Sequence, residues 1–226
     1  MRLILIPLNA SRSFLYCQIQ KLETQSSLLD RASAKAARFW DSWSTSEVAW
    51  KKKVTRTGQN LLDRIDFEEY SLKAIPSSLL KVKDPIPLLH PSFSEPTPIF
   101  LALDSRRPLH IKWLCIWLAA MPLTLPLALV PVIPNLPGFY ATYRAWSHYK
   151  AIDGLKTLKF LQEQHKLVHE KSVELDRIYG PENQRPSNWQ LNHHQMNDLA
   201  RQFEAPGLIM GLQQALKQIN EKSLKS

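Results

Sequence analysis

Seven histidines, two cysteines and twenty acidic residues are the groups from which this 226-residue chain could build a catalytic or metal site. Their spacing offers little. His165 and His169 stand four apart, the interval that brings two imidazoles to one face of a helix and can hold a metal. Glu163, Lys166 and Glu170 share that neighbourhood, so we read a solvated helical face and not a ligand pair. His193 and His194 are adjacent and point apart on a helix. No phosphate-binding loop, Cys-x-x-Cys pair, nucleophile elbow or His-Glu-x-x-His run occurs. The expectation is a protein that is not an enzyme, with no catalytic, cofactor-binding or metal-ligating residue to assign.

Charge is the stronger signal. A net +9 and a pI near 9.6 call for an anionic partner, either phospholipid headgroups or nucleic acid. Lys51, Lys52, Lys53 and Arg56 beside Trp50 make a small patch, but the other basic residues are spread along the chain and no recognition fold appears. Acidic lipid accounts for the same charge with fewer assumptions, so no nucleic acid is expected. A mean hydropathy of −0.26 excludes a polytopic transporter. Cys17 and Cys115 cannot make a disulfide framework, which fits a reducing compartment. No secretory signal is read, because the run from Leu3 to Ile6 halts at Pro7. Arg2, Arg12 and Lys21 precede the first acid, Glu23, which is compatible with a mitochondrial presequence, although the segment is poorly amphipathic. Cleaved and uncleaved N-termini both stay open.

The elements must be positioned around one stretch, Trp113 to Tyr143, which carries no charge between Lys112 and Arg144. An apolar run above about 18 residues signals a membrane span. Prolines at 122, 126, 131, 134 and 137 would break an ordinary helix. Arg106, Arg107 and Lys112 precede the stretch, and Arg144, Lys150, Lys156 and Lys159 follow it. The positive-inside bias is thus nearly balanced. A hairpin entering and leaving from one side satisfies both flanks; a single span is the alternative. His110 to Met121 would form the first arm, and Pro122 to Pro137 the bend and an irregular return. Neither arm fills the ~20 helical residues needed to cross, so the arms dip shallowly or partner subunits shield them. The expected membrane-inserted residues are Trp113, Trp117, Met121, Pro122, Pro126, Pro131, Pro134 and Pro137. Those expected at the headgroups are Arg106, Arg107, Lys112, Arg144, Trp146 and Lys150.

The predicted fold class is mainly α: amphipathic and long helices around one proline-rich membrane segment, with a short N-terminal β-hairpin. Leu3–Leu8 and Ser13–Ile19 flank a polar turn, Asn9 to Arg12. A helix from Ser26 or Ser27 places Leu29, Ala32, Ala36, Trp40, Trp43, Trp50 and Val54 on one face. Six prolines between Ile75 and Pro98 read as an extended connector, with a short helix from Ile99 to Leu103 after it. No proline occurs from Gly138 to Tyr179, and a single long helix is expected there, with Gly154 a weak point. Two more helices follow, Trp189 to Glu204 and Pro206 to Lys222, able to pair as an antiparallel coil. Three regions result: 1–105, 106–143 (the membrane segment) and 144–226.

Several runs resemble one family. PNLPGFYATYRAWSHYKA (134–151), with PLTLP (122–126) before it, looks like the membrane segment of the mitochondrial K+/H+ exchange-related proteins. MRLILIPL (1–8), AARFWDSW (36–43), FEEYSLKAIP (67–76) and LLHPSF (88–93) are similar to that family as well. The resemblance implies an inner mitochondrial membrane protein linked to potassium–proton exchange and organelle volume; the balanced basic flanks then put both ends of the stretch, and the bulk of the chain, on the matrix side. The resemblance carries over no site residues. An exchanger normally needs an ionisable residue in the membrane, and Trp113–Tyr143 has no Asp, Glu, Lys, Arg or His. That favours an accessory or regulatory component, partnered by anionic lipid and other inner-membrane proteins of a cation-exchange system. A membrane-anchored scaffold using its C-terminal helices, and an exchanger or pore formed as a homo-oligomer, stay open.

Overall fold

Leu3, Ile4, Leu5 and Ile6 are all fully buried, because strand β1 (Arg2–Pro7) lies inside a sheet covered on both faces. Side chains alternate across a strand, so Leu3 and Leu5 enter one apolar cluster while Ile4 and Ile6 enter another. β2 (Ser13–Gln18) pairs antiparallel with β1, Leu5 opposite Leu15. Asn9 Oδ1 closes the turn by accepting the amides of Ser11 and Arg12 at 3.0 and 2.7 Å, the local pairing that makes Asn a turn residue. β3 (Ile86–His90) lies parallel to β1, and β4 (Leu167–Lys171) parallel to β3, giving the order β2-β1-β3-β4.

This computed structural model describes residues 1–18, 64–124, 126, 136–181, 185, 186, 188–224 and scattered positions between 38 and 61. Residues 1–18 and 66–226 form one compact unit, which holds the fold and the site; residues 19–65 form another. The Trp-lined helix expected from Ser26 onward lies outside the described residues.

Helices cover the sheet as two outer layers. On the Leu3 face lie α1 (Phe67–Lys73) with Leu72, α2 (Pro96–Asp104) with Phe100 and Leu103, and α4 (Leu136–Glu163) with Leu155 and Leu158. On the Ile4 face lie α5 (Val173–Tyr179), α6 (His193–Gln202) and α7 (Leu208–Ser223), contributing Leu175, Leu199 and Leu212. α3 (Arg107–Thr124) precedes α4 and buries only His110. The protein is mainly helical with a four-stranded sheet, and the expected N-terminal hairpin is two of its strands.

Several expectations need correction. The helices are arranged around a sheet rather than around the apolar stretch. The proline-rich connector is in part a central strand. Ile86 donates to Lys166, so the absent amide of Pro87 faces β1, whose pairing with β3 begins only at Leu88. Proline is tolerated where the ladder has no bond to lose. A 3-10 turn, Ser77–Lys81, buries Leu79 just before it. The single helix from Gly138 to Tyr179 is three elements, α4, β4 and α5. α4 ends where His165 takes φ 50, with His165 N–H bonding Gln162 and Lys166 N–H bonding Leu161, a Schellman ending built on histidine instead of glycine. His165 and His169 therefore share no helical face. α6 and α7 pack on each other and turn their apolar faces to the cluster on the Ile4 side of the sheet.

Candidate functional site

α3 and α4 run antiparallel. Near the far end Trp117 meets Tyr140 edge-on, with ring centres 5.4 Å apart, and at the base His110 meets His148 at 5.5 Å. From Ile111 to Thr124 no residue of α3 is buried, and Leu123 and Phe139 near the far end are 79% and 69% exposed. The uncharged part, Trp113–Thr124, is about 18 Å long at 1.5 Å per residue, against ~30 Å of hydrocarbon. Among the described residues no helix is long and apolar enough to cross a membrane.

The residues expected in the membrane segment fall as follows. Trp113 and Trp117 stack with ring centres 6.4 Å apart. Met121 is half-buried, Pro122, Pro126 and Pro137 are exposed, and Pro131 and Pro134 lie outside the described residues. Pro122 sits inside α3, and Pro137 occupies the first turn of α4, where a missing amide costs nothing. Of the headgroup set, Lys112 is exposed, Trp146 is exposed beside Tyr143, and Arg107 and Lys150 are half-buried. Arg106 and Arg144 point inward, to acids of α1.

Those acids sit at the start of α1, where the helix dipole favours negative charge. Asp66 caps the helix by accepting the Glu68 amide. Glu68 pairs with Arg12 of the β1–β2 turn at 2.7 Å and with Arg106 at 2.5 Å. Asp66 pairs with Lys222 of α7 at 2.9 Å. Burial alone would raise the Asp66 carboxyl, but the Lys222 ammonium, the Glu68 amide and Arg106 together hold it below the usual carboxylate range. One helix end thus ties the turn, both arms and the C-terminal helix together.

Glu69 carries the contact to the arms and is almost fully buried. Arg144 donates to it through two nitrogens, at 2.7 and 3.2 Å, and the Ser147 hydroxyl donates at 2.6 Å. Beside them His110 Nδ1 of α3 lies 3.2 Å from His148 Nδ1 of α4, which lies 3.6 Å from Glu69 Oε2. Arg144 also reaches His148 Nε2 at 3.0 Å. Burial lowers the His148 pKa to about 4, with Arg144 and His110 adding to the effect and Glu69 opposing it.

These contacts assign the protons. Arg144 is only a donor, so His148 Nε2 accepts and the ring proton is on Nδ1. That proton points at His110 Nδ1, which accepts, leaving the His110 proton on Nε2. Glu69, His110 and His148 offer three ligand atoms within 4.8 Å of one another, close enough for one metal ion. A metal there would move the His148 proton to Nε2, against the Arg144 donor 3.0 Å away. It would also set a dication beside a guanidinium in a buried site. The donor set fits a proton better than a metal.

Residues 2–162 match the mitochondrial K+-H+ exchange-related family. This chain belongs to that family. The match covers the sheet's first three strands, α1, both arms and the Glu69 cluster, and stops just before β4. An uncharacterized protein of Schizosaccharomyces pombe is 32% identical over 186 residues, 78% of this chain and 82% of its own length. An uncharacterized protein of Saccharomyces cerevisiae is 30% identical over 204 residues, and the chain spans 63% of its length. No solved structure matches. The family ties the chain to mitochondrial potassium–proton exchange.

Sequence reading assigned Glu69, Ser147, His110 and His148 no role. One signal was present. His110 stands three residues before Trp113, and His148 five after Tyr143. A hairpin places such flanking histidines at one level, which is where they meet.

Proposed function

We propose that this chain is an accessory or regulatory component of potassium–proton exchange at the inner mitochondrial membrane, with its bulk on the matrix side. Its role is non-enzymatic. The carrying observation is the surface of α3, which is uncharged after Lys112 and exposed except along the half-buried face of Leu114, Trp117 and Met121 turned to α4. Contiguous apolar surface of that kind marks a partner or a membrane. In this reading the arms dip into one leaflet. Lys112, Arg107 and Lys150 ring the base near anionic headgroups, and Trp146 sits at the interface. The stretch from Trp113 to Tyr143 contains no Asp, Glu, Lys, Arg or His, which supports an accessory role over an exchanger.

Two measurements test this. A polarity-sensitive dye on Cys115, an exposed thiol of α3, should shift to the blue with vesicles containing anionic phospholipid, and less with phosphatidylcholine alone. No shift with either would refute insertion of the arm. Purified chain alone in liposomes should drive no electroneutral K+/H+ exchange. Robust exchange by the chain alone would make it the exchanger.

A further inference from the structure

We propose that the Glu69–His110–His148 cluster is a proton-binding latch that holds the two arms to α1 when neutral and loosens them on taking up one proton. The reading does not depend on membrane insertion, since every residue it uses lies outside Trp113–Tyr143.

The argument is one of hydrogen-bond capacity. Both acceptor nitrogens of the imidazole pair are occupied: His148 Nε2 by Arg144, and His110 Nδ1 by the His148 ring proton. A proton arriving on His148 Nε2 faces the Arg144 donor and breaks that contact. A proton arriving on His110 Nδ1 sets two N–H groups against each other at 3.2 Å and breaks the contact between α3 and α4. Glu69 Oε1 accepts from Arg144 and Ser147, and Oε2 from Arg144; a proton there removes the charge that faces the guanidinium and weakens the α1 contact. Every place for the proton breaks or weakens one of the ties among α1, α3 and α4.

The surrounding charges set the sign. Glu69 of α1 favours the charged pair, as does Asp66 just before it. Arg144 of α4 and Arg106 just before α3 oppose it. Ser147 is a neutral donor. With Glu69 matched by Arg144, and Asp66 by Lys222 and Arg106, an added proton is an uncompensated buried charge. The buried His110 Nε2 has no protein partner among the described residues.

The experiment uses the full chain in detergent micelles with ring-labelled histidine. On lowering pH from 7.5 to 3.5, His110 and His148 should titrate as one coupled pair, below and separable from the exposed His193 and His194. Over the same range the amides of α3, corrected for intrinsic exchange, should lose protection about tenfold or more. Arg144→Lys keeps the charge beside Glu69 but withdraws the fork from His148, and should move the coupled titration to higher pH. Histidines that stay neutral throughout, or that titrate with α3 protection unchanged, would overturn the latch. So would stoichiometric Co2+ binding at pH 7.5 with a tetrahedral absorption band lost in His148→Asn, since the cluster would then be a metal centre. Neither outcome bears on whether Cys115 enters lipid, so latch and membrane reading fail separately.

Discussion

Gly154 of α4 lies directly on the backbone of Leu72 in α1: a β-carbon at Gly154 would stand 2.1 Å from the Leu72 carbonyl oxygen. The glycine is there for close approach, not as a weak point of the helix. Helix propensity alone makes Gly154→Ala stabilising by about 1 kcal/mol. The clash is with backbone, which cannot swing aside, and overpacking of this kind costs about 1–3 kcal/mol or more. The expected net effect is destabilisation. A denaturant midpoint equal to or above that of the parent protein would contradict the packing.

Glu69→Gln keeps the shape of the cluster's centre but removes the charge that faces Arg144. Arg144 is 13% exposed and Glu69 3%, so the guanidinium would stay buried without its counter-ion. Breaking such a pair from one side costs about 3–5 kcal/mol. Arg12 is 37% exposed, and its partner Glu68, 11% exposed, keeps Arg106, so Arg12→Gln should cost under about 1 kcal/mol. Chemical denaturation of both variants checks the contrast, and similar losses would argue against it.

His148 gives the folding equilibrium a pH dependence. Its pKa is about 4 in the folded chain against an ordinary 6.5, so the unfolded state binds the proton more readily. Stability is then complete above about pH 6.5 and declines as pH falls towards 4. By linkage the loss from this one group is about 2 kcal/mol at pH 5. Melting temperatures across that range should fall for the parent protein and fall less for His148→Asn. Parallel curves would remove His148 as the cause.

The N-terminal hairpin, the end of α5 at Gly180 and the helical spacing of α6 and α7 were legible because local chemistry decides them. Asn9 forms the turn, Gly180 takes φ 71, and Asn192 with Gln195 makes a capping box. β3 and β4 were not legible, since each depends on partners distant in sequence. Pro87 hides a strand that is viable only at that end of the β1 ladder. The residues Leu167 to Lys171, mostly exposed on the sheet's edge, show no alternation to betray them, and the turn before them rests on His165 in a glycine-like conformation. The cluster was hidden for the same reason. Glu69, His110 and His148 become neighbours only when α3 and α4 fold back on α1. Arg106 and Arg144 read as headgroup ligands by position and point inward because buried acids await them.

The two cysteines give a direct check on the sheet and the arm together. Cys17 is buried in β2, and burial pushes its thiol pKa up to about 11. The thiolate is the reactive form, so at neutral pH Cys17 should be inert in the folded chain. Cys115 is exposed on α3. A thiol-specific disulfide reagent should therefore modify one cysteine per folded chain quickly and the second only on unfolding. Prior binding to anionic vesicles should slow the fast one for a water-soluble reagent, because the proposed lipid contact covers it, and leave Cys17 unchanged. Two fast thiols in the folded chain would mean that β2 is not packed as described. A fast Cys115 reaction unaffected by vesicles would leave the fold intact and count against insertion of the arm.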